Sequence, residues 1–433
     1  MKKLLVIVLL VTGNLLFSQQ AVVVDTLPIT LNDAEEQFLK NNYFLLAQKY
    51  NVDASKALVR QAGLFNNPNI YYENNIYNRK SGKYFPTALG TEGVNATQGE
   101  FIVQTNWLFS IAGKRSKSVK VAKAQADVAQ YEFDDVIRSL LFALRSDFYQ
   151  LYYGLQSLKL FNDEIASLTN IVAGFEEQYK KGNISLRELT RTRALLFSLQ
   201  TDRLALYTDL QQTGKEFSVL LNNNKNVWYK PQFNETEVNN KYASVKIVLS
   251  DLLAQALQNR PDMKAAQAQL TAAEANLKLQ QAMGMPDIMA QGVFDRNGSY
   301  IPNYSAVALS VPLAVFNRNQ GNIQASRSQV EASKQLLQQK QTIVQNDIFV
   351  SFQKILETEK LTASLSTDFG NDFNTVLAGA QSNYEKKNIS LLEFVDLFES
   401  YKQSIIHLNT LKTQRINAYE ELNFSVGKDL FKK

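Results

Sequence analysis

The sequence predicts a mainly α-helical protein with a small β part, built from two similar halves. The chain has only 18 glycines and 8 prolines in 433 residues, about half of the usual share, so it makes few turns. Apolar residues recur at spacings of three and four over long stretches, which is typical of helices packed along one seam. Short motifs also recur at a fixed offset. These observations favour long helical hairpins over compact globular domains.

The N-terminal segment, 1–20, is predicted to be a secretory signal peptide. Lys2 and Lys3 precede an apolar run from Leu4 to Phe17, and the small residue Ser18 follows that run. A membrane anchor is the alternative, but the run is short for a spanning helix, which needs about 20 residues. The rest of the sequence has no long apolar run, so a mature chain in a membrane would have to cross it by strands.

The composition excludes most catalytic chemistry. Without cysteine, disulfides, thiolate metal sites and cysteine catalysis are ruled out. The single histidine, His407, cannot by itself build a histidine triad or a zinc site. The net charge of +5 is too small to suggest a nucleic-acid partner. No phosphate-binding glycine loop is present either, so we expect no enzyme activity, no cofactor and no metal site.

An internal repeat organises the chain. A segment that begins near Tyr179 recurs 205 residues later, and an upstream segment that includes Pro68 recurs 218 residues later. The offset between the two copies falls from 218 to 205 residues after Pro68, so the first copy carries an insertion of 13 residues there. We therefore predict a first structural repeat over 21–221, with a hairpin at about 69–109, and a second over 249–427, with a hairpin at about 287–316. A polar linker, the equatorial segment 222–248, joins the repeats, and 428–433 form a C-terminal tail.

Each repeat is predicted to contain one very long helix. Between Gly113 and Lys180 there is no proline, and such a helix would be about 100 Å long. Its apolar seam has a mean repeat near 3.5, which favours coiled-coil packing. The seam residues are Leu140, Leu144, Phe148, Leu151, Leu155, Leu158, Ile165, Leu168, Val172, Phe175 and Tyr179. The second repeat shows the same pattern from Gly321 to Tyr384, through Ile355, Leu365, Phe369, Phe373, Val376 and Leu377.

A capped turn follows each long helix. Ser185 with Glu188, and Ser390 with Glu393, fit the S-x-x-E capping box, so a new helix is predicted to start at each serine. Helix capping alone explains these residues. Their near-identity in both repeats, with lysines alongside, fits a contact surface at least as well, and both interpretations stay open.

Period-two segments, typical of strands, lie between the helices. Phe101 to Phe109 and the stretch around Val307 to Leu313 alternate apolar with polar or small residues, and a candidate strand follows Pro68 and Pro286. Four strands of about ten residues have the length of membrane-spanning strands. Because four strands cannot close a barrel, an oligomer is expected. The alternative is a pair of soluble hairpins packed on the helices.

After the signal peptide, the predicted elements follow the order helix, hairpin, long helix, capped turn and helix, and this order occurs twice. The arrangement resembles the TolC-type outer-membrane factor family. The resemblance covers essentially the whole mature chain. It rests on LVRQAGLFNNPNIYYE (58–73), FSIAGKRSKSVKVAKAQ (109–125), VPLAVFNRNQGNIQAS (311–326), and the tips YKKGNISL and YEKKNISL. The loops and the Gly-Lys-Arg look most like members that serve heavy-metal efflux pumps of the RND type.

The resemblance implies a homotrimer whose strands close a twelve-stranded β-barrel in outer-membrane lipid, while the long hairpins form an α-barrel across the periplasm. Such proteins are passive ducts that dock on a periplasmic adaptor, a membrane fusion protein, and an inner-membrane RND-type transporter. The family's narrowest point, a periplasmic gate, maps onto Glu393 and Asp396. Lys387 replaces the usual turn glycine. The adaptor-contact tips map onto Gly182, Asn183, Ile184, Ser185 and Leu186, and onto Lys387, Asn388, Ile389, Ser390 and Leu391.

Three classes of function remain at this point. The leading expectation is an efflux duct for small solutes, heavy-metal cations among them; within that class, drug or small-molecule efflux and type I protein secretion are alternatives. A structural or adhesive outer-membrane coiled-coil protein is the second class, and an envelope hydrolase the third. Duplicated tips and hairpins favour the duct over the adhesive protein, and the scarcity of histidine and cysteine disfavours the hydrolase.

Overall fold

The computed structural model describes residues 25–79, 82–86, 101–225, 227–236, 248–297, 301–365, 379–380, 382–384, 386 and 388–431. The predicted signal peptide therefore lies outside the described residues. The helices are α1 (Leu31–Asn41), α2 (Tyr43–Ala62), α3 (Lys114–Lys180), α4 (Leu186–Leu220), α5 (Leu249–Asn259), α6 (Pro261–Met283), α7 (Gln320–Ser364) and α8 (Leu391–Val426). The strands are β1 (Asp25–Thr30), β2 (Asn69–Asn74), β3 (Tyr77–Asn78), β4 (Lys83–Tyr84), β5 (Phe101–Phe109), β6 (Val227–Gln232), β7 (Ile288–Asn297) and β8 (Pro302–Ser310).

Helix α3 is the predicted long helix of the first repeat. It is continuous over 67 residues, because no proline interrupts its hydrogen bonds. Its predicted seam is buried at Leu144, Phe148, Leu151, Leu158, Leu168 and Val172. Helix α3 packs against α2, α4, α6 and α8, so it is the element around which both repeats assemble. In the described ranges, no helix combines the length and apolar character needed to cross a membrane.

The long helix of the second repeat was predicted to begin at Gly321, and it begins one residue earlier, at Gln320. Helix α7 runs over 45 residues and ends at Ser364 rather than at the predicted Tyr384, because the backbone of Leu365 is extended. Of the predicted seam, Ile355 is buried. The positions Phe369, Phe373, Val376 and Leu377 lie outside the described residues.

The two predicted hairpins form one antiparallel sheet of four strands in the order β2-β5-β7-β8. Strand β5 pairs with β7 across the two repeats, with Phe109 opposite Ile288. Strand β5 has the predicted bounds, whereas β8 ends at Ser310 rather than Leu313, because Pro312 cannot donate to a ladder. The strands β2 and β8 are the two edges of this sheet.

Strands β1 and β6 were not predicted. They pair in parallel, with Asp25 opposite Val227 and Thr30 opposite Gln232. The pairing joins the start of the first repeat to the equatorial segment that follows it. We call this two-stranded sheet the equatorial clasp.

A buried ion pair joins the two repeats where the strands meet the helices. Lys114, the first residue of α3, is 6% exposed. Its Nζ lies 2.7 Å from Asp287 Oδ1 and 2.7 Å from the carbonyl oxygen of Met285. The backbone N–H of Ile111 donates to the same carboxylate at 3.1 Å. The sheet and the long helix are thereby fixed to each other at this junction.

A second buried cation holds the C-terminal end of α8. Arg260, at the N-terminal cap of α6, is 3% exposed and donates to Asp262, Asp347 and the carbonyl oxygen of Ser425. Gly427, which ends α8 with φ +73°, packs so closely that an added Cβ would lie 2.9 Å from Arg260 Cα. The end of α8 is therefore fitted tightly against the start of α6.

Candidate functional site at the helical tips

The two predicted tips are the turns before α4 and before α8. In the first tip, α3 ends at Lys180 and α4 begins at Leu186. Gly182 has φ +75°, in the left-handed region that glycine adopts most readily. Its N–H donates to Tyr179 O at 2.9 Å, and the N–H of Asn183 donates to Gln178 O at 2.9 Å. These bonds satisfy carbonyls that the end of α3 would otherwise leave unpaired.

The second tip repeats this closure. The N–H of Asn388 donates to Asn383 O at 2.8 Å, the bond equivalent to that of Asn183. The side-chain amides also match, because Asn183 Nδ2 lies 2.7 Å from Gln178 Oε1 and Asn388 Nδ2 lies 3.3 Å from Asn383 Oδ1. The repeated asparagines therefore close both turns. Lys387, which stands where the first tip has glycine, lies outside the described residues.

Both predicted capping boxes are formed. The N–H of Glu188 donates to Ser185 Oγ at 3.2 Å, and the Ser185 N–H donates back to Glu188 Oε2 at 2.8 Å. The corresponding distances for Ser390 and Glu393 are 3.3 and 2.8 Å. These hydrogen bonds from Ser185 and Ser390 lower the pKa of both carboxyl groups. Both glutamates are therefore engaged as caps.

Aromatic contacts hold the two tips together, and the sequence did not reveal them. Tyr384 stacks on Phe394 with ring centroids 5.0 Å apart and contacts Phe175 of α3 at 5.8 Å. Burial raises the pKa of Tyr384 to about 12, and the nearby carboxylate of Glu188 adds to that rise. In the sequence, only the recurrence of tyrosine at 179 and 384 pointed to a contact here. Tyr179 does not share the burial of Tyr384, because it is 40% exposed. The second tip is thus packed against the helical hairpin of the first.

An apolar side chain is exposed on the first tip. Leu186 is 57% exposed, whereas Ile184 and Ile389 are half-buried, and Ile389 packs on the core that includes Phe394. A single exposed leucine is common on protein surfaces, so Leu186 is accessible to a partner but does not by itself indicate one. Leu391 begins α8.

The predicted gate residues lie on one exposed face of α8. Glu393 and Asp396 are three residues apart and both exposed, so they are neighbours on the helix surface. Glu393 is held by its cap, and among the described residues Asp396 has no ion pair or hydrogen bond. Asp396 is therefore the carboxylate that remains available to solvent. Within the described part of the chain, no group of three or more histidine or acidic side chains is arranged to hold a metal ion.

The sequence matches a family model described as outer membrane efflux protein over residues 35–223 and 252–428. It is 22% identical over 389 residues to the cobalt-zinc-cadmium resistance protein CzcC of Cupriavidus metallidurans, covering 90% of this chain and 84% of that protein. It is 24% identical over 340 residues to the cation efflux system protein CusC of Escherichia coli K12, covering 73% and 71% of the two chains.

The fold matches solved outer-membrane channels. The crystal structure of CusC gives a TM-score of 0.72 at 18% identity, covering 92% of each chain. The channel OprN gives 0.71 at 16% identity, covering 92% of this chain and 89% of OprN. The open state of the Neisseria gonorrhoeae channel MtrE gives 0.68 at 16% identity, with the same two coverages. The predicted fold class is confirmed.

Proposed function

The chain belongs to the outer membrane efflux protein family, and we propose that it is the passive outer-membrane duct of a tripartite system that exports heavy-metal cations. The proposal rests on the duplicated, capped tips at the end of long helical hairpins, because helix capping requires the serines and glutamates but not the near-identity of the two turns. The names of the relatives CzcC and CusC support cations as the substrate class. Export of drugs or other small molecules, or of protein, is the alternative.

Three copies of the chain would form the duct. The four-stranded sheet has free edges at β2 and β8, and unpaired edges favour pairing with another copy. Three copies supply twelve strands, within the range of closed outer-membrane barrels. The long helices would then extend into the periplasm as a tunnel.

The tip surface, 182–186 together with 387–391, would bind the periplasmic adaptor. Its turns are fixed by the caps at Ser185 and Ser390, so little conformational freedom is lost on binding. The exposed Leu186 supplies apolar area. The energy for export would come from the inner-membrane transporter, an RND-type pump, because the duct itself is expected to have no enzyme activity.

The carboxylates of Glu393 and Asp396 would form the periplasmic gate. In a trimer they would bring six acidic groups to the narrow end, and rings of such groups favour cations over anions. Since Glu393 is engaged as a cap, Asp396 would be the main determinant of that selectivity.

Resistance to metal salts in the native host tests the function. A strain that lacks the chain is complemented with the wild type, with Leu186→Asp/Leu391→Asp, or with the matched control Leu186→Met/Leu391→Met. We expect the wild type and the methionine control to restore resistance to cobalt, zinc or cadmium salts, and the aspartate variant to fail while still assembling as a trimer by mass measurement in mild detergent.

Two results would overturn parts of this proposal. If the aspartate variant restores resistance fully, the tips act only as helix caps. If deletion of the chain leaves resistance to all three metals unchanged but sensitises the strain to drugs, the substrate class is wrong.

A further inference from the structure

Glu164 is a buried acid that the duct function does not use. It lies on α3, sixteen residues before the helix ends at Lys180, which is about 24 Å along the axis. It is only 4% exposed, on the face it shares with Phe161 and Leu168, both members of the core between α3, α4 and α8. Among the residues that the structure describes, neither carboxylate oxygen has a hydrogen-bond partner.

The nearby cation is already shared by two other carboxylates. Lys402 of α8 is 5% exposed. Its Nζ lies 3.1 Å from Asp202 Oδ2 of α4 and 2.8 Å from Glu399 Oε2 of α8. An ionised Glu164 would therefore be a third negative charge beside one positive charge. A buried charge that is not compensated strongly destabilises the packing around it.

The groups around Glu164 are therefore net acidic. Glu399, Tyr401 and Lys402 of α8 lie close to it, and Asp202 of α4 lies against Lys402. Burial raises the pKa of the Glu164 carboxyl to about 7; Lys402 opposes this rise and Glu399 adds to it. Burial, together with the Glu164 charge, also raises the pKa of Tyr401.

We propose that Glu164 is a proton-binding site that couples the packing of α8 against α3 and α4 to pH. With the proton bound, the carboxyl is neutral and the three helices pack closely. When the proton leaves as pH rises, a charge appears in the core and α8 separates more readily from the hairpin of α3 and α4. The sign follows from linkage: a carboxyl that binds its proton more tightly in the packed state stabilises that state at low pH and loses this effect as pH rises through the pKa of the packed state.

Hydrogen exchange of the assembled, detergent-solubilised protein measures this coupling. For a carboxyl with a pKa of about 7 when packed and about 4.5 when exposed, linkage predicts that local opening rises about tenfold between about pH 6 and about pH 8.5. After correction for the intrinsic exchange rate, the backbone amides over 398–411 of wild-type α8 should show that increase.

Two variants on the same helix control the experiment. Glu164→Gln keeps the shape without the charge, so its corrected exchange over 398–411 should not change with pH. Glu177→Gln makes the same replacement at an exposed position and should behave as wild type. A tenfold increase that persists in Glu164→Gln, or no increase in wild type, would overturn the proposal.

Infrared spectroscopy of the wild type provides a test that does not require the variants to assemble. Protein labelled with ¹³C at glutamate carboxyl groups should show the C=O band of a protonated glutamic acid at about pH 6 and lose it by about pH 8.5. Absence of the band in wild type at the lower pH would show that Glu164 is ionised when buried, and the proposal would be wrong.

Discussion

Replacing Gly427 by alanine should destabilise the chain far more than the same change at Gly182. Both glycines end or follow a long helix with positive φ, +73° and +75°. They differ in their surroundings: an added Cβ at 182 meets nothing within 4 Å, whereas at 427 it would lie 2.9 Å from Arg260 Cα and 3.0 Å from Arg260 N. Comparing the two variants therefore separates the free-energy cost of the left-handed backbone from the cost of steric overlap.

The magnitudes follow from these two contributions. The left-handed conformation costs alanine about 1 kcal/mol, and the smaller entropy of the unfolded chain offsets roughly half of that. Gly182→Ala should thus cost under about 1 kcal/mol. At 427 the two nearest atoms are backbone atoms that cannot rotate away, so overpacking adds about 1–3 kcal/mol, and Gly427→Ala should cost about 1.5–3.5 kcal/mol.

Chemical denaturation of the detergent-solubilised protein, followed by circular dichroism, gives the free energies of unfolding. We expect the midpoint to fall clearly for Gly427→Ala and only slightly for Gly182→Ala, with the slope unchanged. Equal losses in the two variants would refute the reasoning, because overlap with Arg260 would then contribute nothing.

Other predictions concern the caps, the gate and the junction. Ser185→Ala and Ser390→Ala should each cost about 0.5–2 kcal/mol without unfolding the protein, as thermal unfolding of the variants would show. Asp396→Asn should lower cation selectivity of single channels in planar bilayers and weaken block by multivalent cations; wild-type values would remove Asp396 from the gate. Lys114→Met should cost about 3 kcal/mol because it removes the cation that pairs with Asp287, and adding Asp287→Asn should recover part of that loss in a double-mutant cycle.

The long helices and the tips could be predicted because their signals are local. A seam of apolar residues every three or four positions and a serine three residues before a glutamate depend only on near neighbours. The same is true of strand β5, whose alternation predicted both of its ends. The repeat then extended these predictions from one half of the chain to the other.

Contacts between distant elements could not be predicted in this way. Tyr384 contacts Phe175 across the two repeats, and nothing near either residue specifies the other. Glu164 resembles any helix-surface glutamate in sequence, and only the packing of α3, α4 and α8 buries it. Strands β1 and β6 were missed because Pro28 and Pro231 interrupt the pattern that marks a strand.

The equatorial clasp has a consequence for the order in which the chain acquires its structure. Asp25 pairs with Val227, so β1 emerges first but has no partner until about 200 further residues have followed. Closing so long a loop is entropically unfavourable until the intervening hairpin has folded and brought its ends together. Until then β1 is an unpaired edge, and Pro28 within it limits the ladder that it could form with another copy. We therefore expect Pro28, which also obscured β1 in the sequence pattern, to disfavour pairing of β1 with a second copy before β6 is available.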